Sequence, residues 1–200
     1  METQRRQPGR PPAASKAYVE QVAVALMLQR GYEKVSVEDI VAAAGIGRTT
    51  FFRYFGSKSG VIWLEFDATI ERLTRTLAES DSDDVLDSVR TAVLESTREA
   101  VFSSDVWLER FRLLDTTADL HAGAHAHWEA WKLPIVSFVA TRTGKGVGDY
   151  VPMVVGAACH AVFVAELRHW QNRDNARTDL LARLDTHLAH VLSHLSGLVD

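Results

Sequence analysis

Between positions 48 and 58 the chain reads RTTFFRYFGSK. Arg48, Thr49, Thr50, Arg53, Tyr54 and Lys58 put guanidinium, hydroxyl, phenol and ammonium donors on one short stretch. Such a set suits a polyanion, because cations meet phosphates while a forked guanidinium reads a row of acceptors. Phe51 and Phe55 stand at i and i+4 in the same run, so on a helix they share a second face that can anchor it. A different chemistry is offered further along. Trp63, Phe66, Trp107, Phe111, Trp128, Trp131 and Phe163 are large apolar groups able to wall a pocket, and Arg110 among them could meet an anionic head.

Other reactive residue types do not assemble into a reaction centre. His121, His125 and His127 form one cluster and His187, His190 and His194 another, yet no carboxylate completes either at metal-ligand spacing. The later three flank an apolar seam and read as polar edge groups, so no metal site is expected. Asp115, Asp119 and His121 match no catalytic signature, and the paired Glu-x-x-His motifs of a di-iron bundle are absent. One cysteine, Cys159, excludes a disulfide framework and a multi-thiolate zinc site. The expectation is a protein that is not an enzyme and carries no cofactor.

Charge divides the chain. Residues 1–60 hold nine basic and five acidic side chains, a balance of +4, while the remaining 140 residues balance at −8 within a total of −4. A basic head on an acidic body predicts that only the head meets a polyanion. With 46% apolar residues the 200-residue chain can bury about 70% of its unfolded surface. No apolar leader segment is visible, and the longest apolar run, Val151 to Ala165, is broken by Pro152 and His160. It is shorter than the ~20 residues of a membrane span. These features predict a soluble cytoplasmic protein without a membrane partner.

The elements that must position these groups are helices. Residues 1–14 form a Pro- and Arg-rich arm, residues 15–60 a basic head and residues 61–200 the body. Nine helices are expected: Ser15 to Arg30, Val37 to Ala44, Arg48 to Phe55, Ser57 to Ala78, a fifth ending near Phe102, then 104–118, 122–142, 149–170 and 176–197. Ser36-Val-Glu-Asp39 is a capping-box start with Val35 and Ile40 in the staple positions, and Gly45 supplies the positive φ of a tight turn. Two short helices joined by Ala44-Gly45-Ile46-Gly47 make a helix-turn-helix. The class is all-α.

VSVEDIVAAAGIGRTTFFRYFGSKSGV resembles the DNA-binding signature of the TetR family of one-component regulators. TTFFRYFGSK with Trp63, Phe66-Asp67 and Glu71-Arg72-Leu73, and the later Ala140-Thr-Arg142, are similar to its mycofactocin-system branch. The resemblance implies a repressor that binds double-stranded operator DNA as a homodimer and responds to an apolar small-molecule effector, a long-chain acyl thioester in that branch. It implies DNA contacts from Arg48, Thr49, Thr50, Arg53, Tyr54 and Lys58. The arm, with Arg10, reads equally as a minor-groove strand or a tail. Two positions depart from the family: Gly47 stands where Ser or Thr usually caps the recognition helix, and Phe52 replaces a phosphate-binding Tyr.

An eighth helix that is apolar nearly all round needs covering on every side. Its small residues, Ala158 and Ala161 among them, suit close packing. The ninth carries Leu181, Leu184, Leu188, Val191 and Leu195 at alternating three and four spacing, a coiled-coil-like seam. These two helices are expected to pair with their symmetry mates in a four-helix dimer interface. A helical small-molecule or lipid-binding protein, its ligand uncoupled from DNA, is the alternative reading.

Overall fold

In the computed structural model the described residues are 14–173 and 177–199, and Arg10 lies outside them. Their regular structure is helical: α1 (Lys16–Arg30), α2 (Val37–Ala44), α3 (Arg48–Phe55), α4 (Gly60–Ala78), α5 (Val85–Ser103), α6 (Glu109–Thr116), α7 (Ala118–Thr143), α8 (Tyr150–Arg173), α9 (Arg177–Ser193) and the single turn α10 (Ser196–Val199).

Local chemistry sets the ends of the head helices. Ser15 Oγ accepts from the Tyr18 N–H at 3.2 Å. The capping box forms both ways, with Asp39 N–H to Ser36 Oγ at 3.1 Å and Ser36 N–H to Asp39 Oδ2 at 2.8 Å. Those bonds hold the Asp39 carboxyl below its usual range. Gly45 ends α2 in the left-handed region at φ 66°. The expected start of α4 at Ser57 moves to Gly60, although Ser57 Oγ still accepts the Gly60 N–H at 3.0 Å.

Body boundaries shift more. Residues 105–108 form turns, so α6 begins five residues late, and α7 starts at Ala118 and continues through Pro134 without a break. Proline has no N–H, so the Ala130 carbonyl loses its usual helical donor there. α9 stops at Ser193, short of the expected 197.

α4 ties the molecule together. Its first turn buries Val61 and Ile62 against the head, and Phe66, Leu73 and Leu77 continue the same stripe into the body, where α4 packs on α5 and α7. α8 is long and apolar enough to cross a membrane by length and composition. It packs between α7 and α9 instead, burying Val155, Cys159, Phe163, Leu167 and Trp170. Burial pushes the Cys159 thiol up to about 12. Met153, Val154, Ala157 and Ala161 stay exposed on the outer face, so one chain does not cover α8 on every side.

Candidate functional site

The head presents α3 as a polar ridge on an apolar anchor. Phe51 and Phe55 are buried with ring centroids 5.3 Å apart, as their spacing predicts. On the other side Arg48, Thr49 and Arg53 are exposed and Thr50 is half-buried. Gly47 caps α3 through its carbonyl, accepting from Thr50 and Phe51 N–H at 3.0 and 3.1 Å, and contributes no side-chain cap. Arg48 crosses back to Glu38 in an exposed ion pair and lies 5.7 Å from the Phe52 ring centroid. The Arg53 guanidinium lies 5.3 Å from the Tyr54 ring centroid.

Besides Arg48, two of the predicted contact residues have internal partners. Tyr54 donates its hydroxyl to the Ala14 carbonyl at 3.1 Å, so its one O–H is committed to the start of α1. Lys58 Nζ donates to the Tyr32 and Val35 carbonyls, both at 3.1 Å, and lies 4.1 Å from the Tyr32 ring centroid. An ammonium has three N–H groups, so one is left for an outside anion. Gly60 was not singled out by its sequence context, yet a Cβ there would lie 1.9 Å from the Phe55 carbonyl oxygen. Only glycine lets the end of α3 rest on the start of α4 this closely.

Arg110 does not face a pocket. It is 2% exposed, pairs with buried Glu20 of α1, donates from Nε to the Val61 carbonyl at 3.3 Å and reaches Ser104 Oγ at 3.5 Å. Burial pushes its pKa down to about 9, which still leaves it charged at neutral pH. The expected anion-binding group is therefore a strut between body and head. Glu20 was legible only as an acid within the α1 stripe of Val19, Ala23, Val24 and Met27.

The aromatic set is brought together, but as a filled core. Phe66 meets Trp128 at 4.9 Å and Phe111 at 6.2 Å, Trp107 meets Phe111 at 4.9 Å, and Trp131 stacks on Phe163 at 5.0 Å. Trp63 stacks on His127 at 3.9 Å, and His127 Nδ1 lies 2.7 Å from Asp67. The expectation of an open cavity here is corrected, since these side chains occupy the space themselves. Among the described residues an apolar cleft of about 620 Å³ opens elsewhere, between α4 and α7, and includes Leu77, Leu133 and Phe138. Trp107 Nε1, Trp131 Nε1 and His160 Nε2 are buried in the aromatic region without hydrogen-bond partners.

The seam of α9 is also reassigned. Leu181, Leu184 and Leu188 are buried within their own chain, where α9 packs against α5 and α8, and Val191 and Leu195 are half-buried at its edge. A leucine stripe is covered by whichever apolar face is nearest, and intrachain helices reach it first. His187 Nδ1 lies 2.6 Å from buried Glu166, which also accepts from Arg183 at 2.7 Å. Ala158 is half-buried and Ala161 exposed on the outer side of α8.

Residues 21–62 match the bacterial regulatory proteins of the tetR family, and residues 83–196 match the MftR C-terminal domain. The chain is 31% identical over 163 residues to a Mycobacterium tuberculosis protein named as the mycofactocin biosynthesis transcriptional regulator MftR, covering 81% of this chain and 82% of that one. In fold it is similar to the fatty acid degradation regulator FadR of Bacillus halodurans, with a TM-score of 0.66 at 16% identity over 96% and 98% of the two chains. It is also similar to Thermus thermophilus FadR, a TetR-family repressor in complex with lauroyl-CoA, with a TM-score of 0.56 at 22% identity over 89% and 93%. Members of this family are regulators that bind DNA, not enzymes. With a helix-turn-helix whose second helix turns a polar ridge outward, and both its head and its body matched in sequence, the chain belongs to the TetR family of bacterial transcriptional regulators.

Proposed function

We propose that this regulator is a repressor that grips a palindromic operator as a homodimer and releases it when an apolar effector enters the body. The observation that carries the reading is α3: a helix locked by buried Phe51 and Phe55, with Arg48, Thr49 and Arg53 exposed along the opposite face. Residues 15–60 form the DNA-binding head and residues 61–200 the effector and dimerisation body. Arg48 and Thr49, at the end of the helix that enters a major groove, read base edges. Thr50, Arg53 and the remaining Lys58 N–H meet phosphates, and Tyr54 ties α3 to the start of α1 through the Ala14 carbonyl.

The dimer forms through the outer side of α8. Met153, Val154, Ala157, Ala158 and Ala161 make an apolar strip of small and flexible side chains there, with Val191 and Leu195 of α9 at its border. Two recognition helices in such a dimer would sit about 34 Å apart, one turn of duplex. The MftR-type C-terminal domain, and the lauroyl-CoA held by a regulator of the same fold, support a long-chain acyl thioester as the effector. Entry of the chain among Phe66 and Phe111 would move α4 and α6. The Arg110 strut would then pass that movement to α1.

Gel retardation on the DNA upstream of its own gene tests the reading. Lauroyl-CoA should release the complex, and operator DNA must weaken lauroyl-CoA by the same factor, commonly about 5–150-fold. Binding of the thioester with no change in operator affinity would favour a ligand-binding protein uncoupled from DNA.

A further inference from the structure

Trp131 is wholly buried on α7, and its Nε1 has no partner. Across from it on α8, His160 Nε2 is equally buried and equally unpartnered. The two rings adjoin, with centroids 6.3 Å apart. Buried polar atoms normally find partners, so two orphaned nitrogens on neighbouring rings mark a place for a polar atom that the chain does not supply. The indole of Trp128 fills the adjoining space, 5.0 Å from the His160 ring, 4.9 Å from Phe66 and 6.2 Å from both Phe111 and Phe163. Trp128 is half-buried, whereas Trp131 and Phe163 behind it are not exposed. It is placed as a plug.

We propose that an effector carbonyl enters by displacing Trp128 and accepts hydrogen bonds from Trp131 Nε1 and from His160 Nε2 in the tautomer protonated there. The body thereby selects an apolar chain carrying one uncharged acceptor. This deepens the effector reading above and rests on it. Charge argues for a neutral acceptor. Burial, and then nearby Lys132, holds the His160 imidazole below its ordinary pKa and so uncharged at neutral pH. The cations nearby are engaged: Arg110 pairs with Glu20, and Lys132 bonds Glu129 at 2.7 Å. A thioester carbonyl fits these two donors. A carboxylate would add a second negative charge for Lys132 to share with Glu129.

The test compares lauroyl-CoA with S-dodecyl-CoA, its thioether, in which a methylene replaces the carbonyl. Both carry the same head and nearly the same chain. Calorimetric titration of the full-length protein should find the thioester tighter by about tenfold or more. His160→Phe and Trp131→Phe keep a ring while deleting a donor. Each should lower thioester affinity toward that of the thioether and leave the thioether unchanged. Should Trp131→Phe fail to fold, His160→Phe alone decides, because that position is only half-buried. Equal affinities in the wild type, or an unaltered ratio in His160→Phe, would overturn the carbonyl anchor while the effector reading stood. Failure of both ligands to bind, with operator binding intact, would overturn both.

Discussion

Arg48 and Arg110 are the same side chain in two regions, and the contrast between them separates the head from the body. On α3 the Arg48 side chain is 62% exposed, that of its partner Glu38 is 58% exposed, and water competes with both. Such a pair is worth at most about 1 kcal/mol, so DNA can exchange one partner for another at little cost. On α6 the guanidinium and Glu20 are out of water together, and neither can change partner cheaply. The head keeps cations available for a ligand. The body uses its buried cation to hold the head in place.

The sharpest way to break this comparison is to charge an inner and an outer position of the body. Leu188→Glu should cost several kcal/mol and abolish cooperative thermal unfolding, because the carboxylate enters a dry core without a partner. Ala161→Glu should leave the melting temperature near wild type. It should nonetheless yield a monomer by sedimentation and abolish operator binding. If both variants only change the oligomeric state, the inward assignment of the α9 leucines is wrong.

Next in size is the strut. Arg110→Met leaves Glu20 buried alone and should destabilise by roughly 3–5 kcal/mol in denaturant unfolding. Adding Glu20→Met should recover most of that loss while leaving effector-driven release impaired. A double variant no more stable than the single would show that the pair is not the unit that matters.

On the exposed side, Arg48→Ala should erase about 1–3 kcal/mol of discrimination at one base pair of each half-site, read by binding-site selection. Arg53→Ala should leave the preferred sequence alone and reduce the slope of log K against log salt by about one unit. Glu38→Gln should tighten operator binding by no more than about 1 kcal/mol, since it frees Arg48 and removes an acid facing the phosphates. Weaker binding by that variant would mean that Glu38 orients Arg48 for the groove.

The smallest effect expected is on pH dependence. Burial lowers the folded-state pKa of His160 below 6.5, so between the two values the unfolded chain binds more protons. Its share of stability is complete above pH 6.5 and lost as the pH falls through that window. Melting temperatures at pH 7.5 and 5 should therefore lie closer together in His160→Phe than in the wild type.

Much of the head could be read directly from the residues because its signals are local. The Ser36–Asp39 box, the Gly45 turn and the Phe51–Phe55 anchor each act within about one helical turn, so sequence neighbours are also spatial partners. Gly60 carries no such local signal, since the atom it must avoid belongs to the end of another helix.

For the body, the residues alone determined that long helices would form, that their stripes would be apolar and that the aromatics would be buried. Which surfaces met was decided only by tertiary structure. The stripe on α9 looked the same whether a partner subunit or α5 and α8 covered it, because hydrophobic burial has no direction of its own. Arg110 looked like an anion receptor until the fold set Glu20 against it from 90 positions away. The aromatics looked like a pocket until Trp128 proved large enough to fill it. Periodicity reports which face of a helix leaves water; what that face meets is a property of the packed chain.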